Sequence, residues 1–146
     1  MIEIITEENL HLGCYANNKE QVLSMLNEAF QSKGYVNQDC LVFLIEREKQ
    51  VSTFLGNGIT LPHLPMLAKQ IIVKTGIEIF QFPDGVIWDR KNIMFIAIGV
   101  IAKEKEHIDL LKEIVTIFSD EIISNVLSIL TSKQDFLRIL KQNYHS

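Results

Sequence analysis

His63 has a sequence context that suits a nucleophile. Residues 61–65 read Leu-Pro-His-Leu-Pro, and a residue that precedes proline is held in extended backbone geometry. Such a stiff, non-helical segment would keep a histidine nucleophile in one orientation. The segment follows Gly56-Asn57-Gly58, whose backbone could approach a ligand closely. On the local sequence alone, a loop histidine without a role stays open as the alternative.

His107 and Arg47 have contexts that suit anion binding. His107 follows a predicted strand and opens a predicted helix, a favoured ligand position in open α/β sheets. The helix N-terminus attracts anions and lowers the pKa of a nearby histidine, which keeps the imidazole neutral. Arg47 ends a predicted helix shortly before His63, and a guanidinium is a planar, permanently charged phosphate clamp. The alternatives are a water-exposed histidine and a solvated charge in the run 46–49.

The remaining candidate groups do not form a metal or nucleotide pattern. Cys14 and Cys40 lack metal or redox spacing, and we interpret His11 and His145 as surface residues. The glycines at 56–58 lack the third glycine of a dinucleotide loop and the Gly-Lys-Ser/Thr of a P-loop. We therefore expect neither a metal nor a cofactor.

Helical and strand patterns are combined in this chain. Helices are predicted from the cap residues 17–18 to Gly34, from Asp39 to about Lys49, over 104–119, along 122–130, and from Ser132 onward. Strands are predicted at 53–55, 59–61, 76–82, 86–88 and 93–101, with a turn at 83–85. Helices on both sides of a central strand block predict a layered α/β sandwich, a mixed sheet with helices on both faces.

Composition limits the functional class. The chain has 146 residues, 47% of them apolar, and a net charge of −4 from 14 basic and 18 acidic residues. This predicts one folded domain over residues 1–146 and argues against a nucleic-acid partner, which would need a basic excess. The longest apolar run, 93–102, is too short for a membrane helix, and the acidic start does not match a signal peptide. We therefore expect a cytoplasmic protein without direct membrane insertion.

The motifs together carry a family resemblance. Residues 47–63 read Arg-Glu-Lys-Gln-Val-Ser-Thr-Phe-Leu-Gly-Asn-Gly-Ile-Thr-Leu-Pro-His. This tract resembles the active-site segment of the enzyme IIA component of the bacterial phosphoenolpyruvate-dependent sugar phosphotransferase system, mannitol/fructose class. The resemblance continues at 81–88, where it is closer to mannitol-type members, and at 99–102 and 106–108. It covers nearly the whole chain in order.

The resemblance implies a role for each candidate residue. His63 matches the histidine that accepts a phosphoryl group from the phosphocarrier protein HPr and passes it to IIB of the sugar-specific IIB/IIC membrane component. His107 matches a supporting histidine, and Arg47 matches an arginine that stabilises the phosphate. The expected function is a phosphoryl carrier, a phosphotransferase component with a phosphohistidine intermediate, in the uptake of a sugar such as mannitol.

One departure from the family pattern and two alternatives accompany this expectation. Leu64-Pro65 stands where the family usually has Gly-Thr, and proline removes an N–H that could have contacted phosphate. Leu64 and Met66 are candidates for an apolar docking surface. One alternative is a regulatory interaction module of the same fold, whose phosphorylation state tunes a partner. The more distant one is a small-molecule or metal-binding domain.

Overall fold

A computed structural model describes residues 2–144 of the chain. Its strands are β1 (Leu10–His11), β2 (Phe54–Gly56), β3 (Ile59–Thr60), β4 (Gly76–Asp89) and β5 (Asn92–Ile101). Its α-helices are α1 (Lys19–Ser32), α2 (Leu41–Gln50), α3 (Glu104–Phe118), α4 (Glu121–Ile129) and α5 (Lys133–Gln142). Short 3₁₀ turns lie at Ile2–Ile4, Glu7–Asn9 and Met66–Ile71. No helix within these residues is long and apolar enough to cross a bilayer.

The strands form one mixed sheet in the order β1-β4-β5-β3-β2. The long strands β4 and β5 form an antiparallel hairpin at its centre. β1 runs parallel to β4, and β3 runs parallel to β5. The prediction of a central mixed sheet is confirmed.

Helices cover both faces of the sheet, as predicted. On β4, Ile77 and Ile79 face the core formed with α3, α4 and α5, whereas Phe80 and Phe82 face the core formed with α1 and α2. Because both faces are buried, β5 is apolar along most of its length rather than alternating. Each large apolar side chain buried there stabilises the fold by about 1.5–3 kcal/mol.

The helix ends follow from the capping residues identified in the sequence. The Asn18 side chain accepts a hydrogen bond from the backbone N–H of Gln21, and the Ser132 side chain accepts one from that of Asp135. Gly34 follows α1 with a φ of 72°, the left-handed conformation that ends many helices. The predicted starts of α1, α2 and α5 and the predicted ends of α1 and α2 lie within two residues of the observed ones.

The predicted turn at 83–85 does not end a strand, so the prediction of separate strands at 76–82 and 86–88 is wrong. Gln81 pairs with Ile96 and Val86 pairs with Met94, so residues 82–85 oppose the single residue Phe95 and form a large bulge inside β4. Gly85 has a φ of 78°, and a Cβ there would lie 2.6 Å from the Ile93 side chain. Turn residues show that a chain bends, but they do not show that pairing with the same strand resumes afterwards.

The interpretation of His11 as a surface residue is also wrong, and β1 was missed. His11 is half-buried, and its ring stacks on Phe80 with centroids 4.1 Å apart. Its Nε2 lies 2.8 Å from Oε1 of Glu78, a fully buried carboxylate on β4. Tyr35 and Lys33 also donate hydrogen bonds to Glu78. Glu78 lies 67 positions after His11 in the sequence. Local sequence patterns therefore could not show that this carboxylate would bind His11 and that the two-residue strand β1 would pair with β4. His145 lies outside the described residues.

We expect the Glu78 cluster to make stability depend on acidity. Burial alone would raise the pKa of Glu78, but hydrogen bonds from His11, Asn9 and Tyr35 and the charge of Lys33 outweigh it and lower that pKa below its usual 4.5. The carboxylate therefore stabilises the fold above pH 4.5, and this contribution is lost as the pH falls through the folded-state pKa.

The measurement is chemical denaturation of wild type and Glu78→Gln at neutral and acid pH. The variant is expected to be about 1–3 kcal/mol less stable at neutral pH, because buried donors lose a charged acceptor. It should also lose less stability on acidification. The exposed Glu28→Gln serves as the control. Parallel pH profiles for wild type and Glu78→Gln would contradict the assignment.

Candidate functional site

His63 lies directly after β3, on a segment that continues alongside β5. It forms a parallel bridge with Val100, and the Val100 N–H donates a 3.0 Å hydrogen bond to the Pro62 carbonyl. Proline on both sides and pairing with a central strand fix the backbone in extended geometry, as the sequence predicted. The His63 side chain is half-buried, so it is held by the protein and still reachable from solvent.

The ring of His63 is oriented by a neighbouring carbonyl. Nδ1 lies 2.8 Å from the Leu61 carbonyl oxygen. A carbonyl oxygen can only accept, so Nδ1 carries the proton when the ring is neutral. Nε2 is then the nitrogen with the free lone pair, which makes it the nucleophilic atom of the ring.

His107 lies beside His63. It belongs to the first turn of α3, and the two ring centroids are 5.5 Å apart with the planes inclined by 58°. Within residues 2–144, its Nε2 is buried and makes no hydrogen bond. Burial is the larger cause that lowers the pKa of His107, and the charge of Arg47 is the second. The predicted lowering is therefore present, but burial and Arg47 cause it rather than the helix N-terminus.

Arg47 reaches the same place from α2. It lies in the last turn of that helix, and its Nη1 donates a 2.9 Å hydrogen bond to the Val51 carbonyl. It lines a cleft of about 380 Å³ together with His63 and His107. The fold thus brings the three candidate residues together from three different elements.

The electrostatics of the cleft favour a neutral imidazole at position 63. Burial is the largest cause that lowers the pKa of His63, and the charges of Arg47 and His107 lower it further. The hydrogen bond to Leu61 and the charge of Glu48 act in the opposite direction. The net effect is a pKa below the usual 6.5, so the neutral, nucleophilic form dominates at neutral pH.

The glycine loop at 56–58 is not part of the site. The Asn57 side chain donates hydrogen bonds to the carbonyls of Phe118 and Ser119, at the C-terminal end of α3. His107 is in the first turn of the same helix, and the 11 residues that separate it from Phe118 span about 16 Å. The expectation that this loop could approach a ligand at His63 is therefore wrong.

The rim of the cleft differs in part from the apolar surface predicted around His63. Leu64 is only 5% exposed and packs into the core beneath α1 and α2, whereas Met66 is 57% exposed. Leu67, which is 80% exposed, and Gln50 also line the cleft and were missed. Gln50 follows Arg47 by three residues on a helix, a spacing that places both on one face and that could have identified it.

The arrangement provides a nucleophile and positive potential in an open cleft. Within residues 2–144, His, Cys, Asp and Glu side chains form no group of three that could hold a metal ion. A half-buried histidine with one lone pair free, beside a guanidinium and a second imidazole, is suited to receiving a group that carries negative charge.

Comparisons with known proteins agree with this geometry. Residues 3–143 match the family model "Phosphoenolpyruvate-dependent sugar phosphotransferase system, EIIA 2". A multiphosphoryl transfer protein of Haemophilus influenzae is 38% identical over 140 residues, covering 96% of this chain and 28% of that protein. The chain spans about a third, or less, of the length of the curated relatives that it matches.

Two solved structures from Escherichia coli share the fold closely. The crystal structure of IIA mannitol is 31% identical with a TM-score of 0.86, covering 93% of this chain and 98% of that one. IIA mannitol in a complex with phosphorylated enzyme IIB is 30% identical with a TM-score of 0.88, covering 94% of this chain and 97% of that one. The chain therefore belongs to the EIIA 2 family of the phosphoenolpyruvate-dependent sugar phosphotransferase system.

Proposed function

We propose that this chain is a phosphoryl carrier in which Nε2 of His63 accepts a phosphoryl group from one protein and passes it to another. The observation that supports this most strongly is the bond between Nδ1 of His63 and the Leu61 carbonyl. It leaves Nε2 as the free nucleophile on a half-buried ring. Membership of the EIIA 2 family supports the same reaction.

The reaction is an in-line transfer between two imidazoles. The Nε2 lone pair of His63 attacks phosphorus, the P–N bond to the donor histidine breaks, and its electron pair stays on the donor ring. The phosphorylated His63 keeps its Nδ1 proton, which the Leu61 carbonyl continues to accept. The same steps run in reverse toward the next acceptor, and a protonated ring is the better leaving group.

Arg47 and His107 would stabilise charge on the transferring group. The transition state spreads negative charge over three equatorial oxygens, and catalysis is mainly positioning and electrostatic stabilisation. The Arg47 guanidinium supplies a permanent positive charge at the cleft. The Nε2 of His107 is buried without a hydrogen-bond partner, so a small movement of the ring would let it bond to a phosphoryl oxygen.

The cleft also suits docking of a partner protein. Met66 and Leu67 are exposed at its rim, and Ile108, which follows His107, is 63% exposed. Exposed apolar side chains around a reactive group favour a transient protein interface. The proposed donor is the phosphocarrier protein HPr, and the proposed acceptor is IIB of a IIB/IIC membrane component.

The similarity to IIA mannitol makes mannitol the proposed sugar. We also propose that one such domain occupies residues 1–146 and works in the cytoplasm, where soluble phosphocarriers would meet it.

The test of the proposed function is phosphoryl transfer in vitro. Incubation with phosphoenolpyruvate, enzyme I and HPr should give an acid-labile, base-stable phosphate, and IIB mannitol should remove it. His63→Ala should abolish labelling with little loss of stability, because the side chain is half-buried. The matched control is His11→Gln, which removes a histidine bonded to Glu78 instead of one in the cleft.

Each other outcome has a distinct meaning. Absence of any label on the folded wild-type protein would contradict the carrier function. Labelling without discharge onto IIB would favour a regulatory module of the same fold. A label that persists in His63→Ala would assign the reaction to another residue.

A separate prediction concerns His107. His107→Ala should slow transfer about a hundredfold, the usual cost of removing one stabilising group around a developing charge. Single-turnover labelling by phosphorylated HPr, with the midpoint of thermal unfolding as a folding control, measures this. An unchanged rate in a folded variant would show that His107 has no part in transfer.

Arg47 should control the titration of both cleft histidines. Its charge lowers the pKa of His63 and of His107, so Arg47→Met should raise both values. They should stay below 6.5, because burial is the larger cause in each case. NMR titration of the histidine ring protons measures this, with Arg138→Met on α5 as the control. Identical titration curves in wild type and Arg47→Met would contradict the placement of the guanidinium.

A further inference from the structure

Glu48 is a buried carboxylate next to the site. The proposed reaction assigns it no role. It follows Arg47 on α2 and is 7% exposed. Burying a carboxylate costs free energy unless hydrogen bonds compensate for the lost water. The partners of Glu48 therefore indicate what the fold gains from it.

Both oxygens of Glu48 are occupied by donors. Oε2 accepts hydrogen bonds from the Thr53 hydroxyl at 2.6 Å and from the Thr53 backbone N–H at 3.1 Å. Oε1 accepts from Nε1 of Trp88 at 2.8 Å and from Nζ of Lys19 at 3.2 Å. Trp88 and Lys19 thus fix the position of the carboxylate. The carboxylate in turn binds both the backbone and the side chain of Thr53.

Thr53 links this carboxylate to the nucleophile. The Thr53 carbonyl accepts a 3.0 Å hydrogen bond from the Leu61 N–H. The Leu61 carbonyl, at the other side of the same residue, accepts the Nδ1 proton of His63 at 2.8 Å. A continuous series of hydrogen bonds thus joins Glu48, Thr53, Leu61 and His63.

The same segment also holds the guanidinium. Arg47 donates to the carbonyl of Val51, which lies between the end of α2 and Thr53. A displacement of residues 51–53 would therefore move the acceptor of Arg47 and, through Leu61, the acceptor of His63. Two of the three groups proposed to act on the phosphoryl, His63 and Arg47, thus depend on one short segment, and Glu48 binds that segment.

We propose that Glu48 is a positioning residue for phosphoryl transfer, which acts through Thr53 to orient the His63 ring and the Arg47 guanidinium. The effect of Glu48 on the rate of phosphoryl transfer rests on the proposed function. Its effect on the ring of His63 is independent of any phosphoryl donor. Glu48 itself is buried and does not line the cleft, so it need not touch the transferring group.

Thr53→Val is the sharpest variant. It removes the hydroxyl donor at almost constant volume and leaves the charge of Glu48 in place. Thr53→Ser keeps the hydroxyl and is the matched control. Glu48→Gln changes the charge as well, and it places an amide N–H₂ among groups that are themselves donors. Glu46→Gln, at an exposed glutamate of the same helix, is the control for that change.

Two readouts are required. The first is the tautomer of His63 in the unphosphorylated protein, from long-range ¹H–¹⁵N correlation spectra of its ring. The wild type, Thr53→Ser and Glu46→Gln should show a single Nδ1–H form, whereas Thr53→Val and Glu48→Gln should show a mixture. The second is single-turnover labelling by phosphorylated HPr, which should slow between about tenfold and about a hundredfold in the two test variants.

The titration of His63 separates the effect of Glu48 on ring orientation from the effect of its charge. The Glu48 carboxylate raises the pKa of His63, so Glu48→Gln should lower that pKa below the wild-type value, and Thr53→Val should leave this contribution in place. Because Glu48→Gln can also destabilise the fold, Thr53→Val decides the outcome if Glu48→Gln does not fold.

Single-tautomer spectra and wild-type rates in a folded Thr53→Val would overturn the positioning role. If the wild type itself takes no label, the proposed function fails, and the tautomer spectra still test whether Glu48 orients the ring.

Discussion

The site depends on one hydrogen bond, from Nδ1 of His63 to the Leu61 carbonyl. A neutral imidazole has one N–H and one lone pair, so fixing the proton on Nδ1 selects Nε2 as the nucleophile. The bond is short-range in sequence, but its geometry depends on long-range structure. Residues after β3 pair with Val100 on β5, and Leu61 is held through Thr53. A five-stranded sheet and α2 are thus needed to orient a single ring.

Burial and positive charge serve two purposes at once in this cleft. Both lower the pKa of His63, with burial the larger cause, and so keep the ring neutral before transfer. In the proposed reaction, the same Arg47 charge would attract the incoming phosphoryl group. The opposing contribution of Glu48 and the open cleft keep this stabilisation moderate. The proposed carrier must release its phosphoryl group as well as accept it, and a moderate interaction would meet both requirements.

Much of this could be predicted from the sequence, and the rest could not for physical reasons. Apolar periodicity and caps such as Asn18 depend on neighbouring residues, so the helices and the α/β class were predictable. The bulge in β4 and the pairing of His11 with Glu78 depend on which strand lies alongside, which local patterns do not encode. Proline on both sides marked His63 as stiff, and the family resemblance united it with His107 and Arg47. The link from Glu48 to His63 crosses four residues on three segments, and only coordinates show it.

The most direct test of the central claim is to locate the phosphorus atom. The ¹⁵N-histidine-labelled protein would be phosphorylated with phosphoenolpyruvate, enzyme I and HPr, and the nitrogen coupled to ³¹P identified by NMR under alkaline conditions, where phosphohistidine persists. The structure predicts coupling to Nε2 of His63. At neutral pH, the N–H at Nδ1 should still donate its hydrogen bond to the Leu61 carbonyl. Coupling to Nδ1 of that ring, or to a nitrogen of any other histidine, would contradict it.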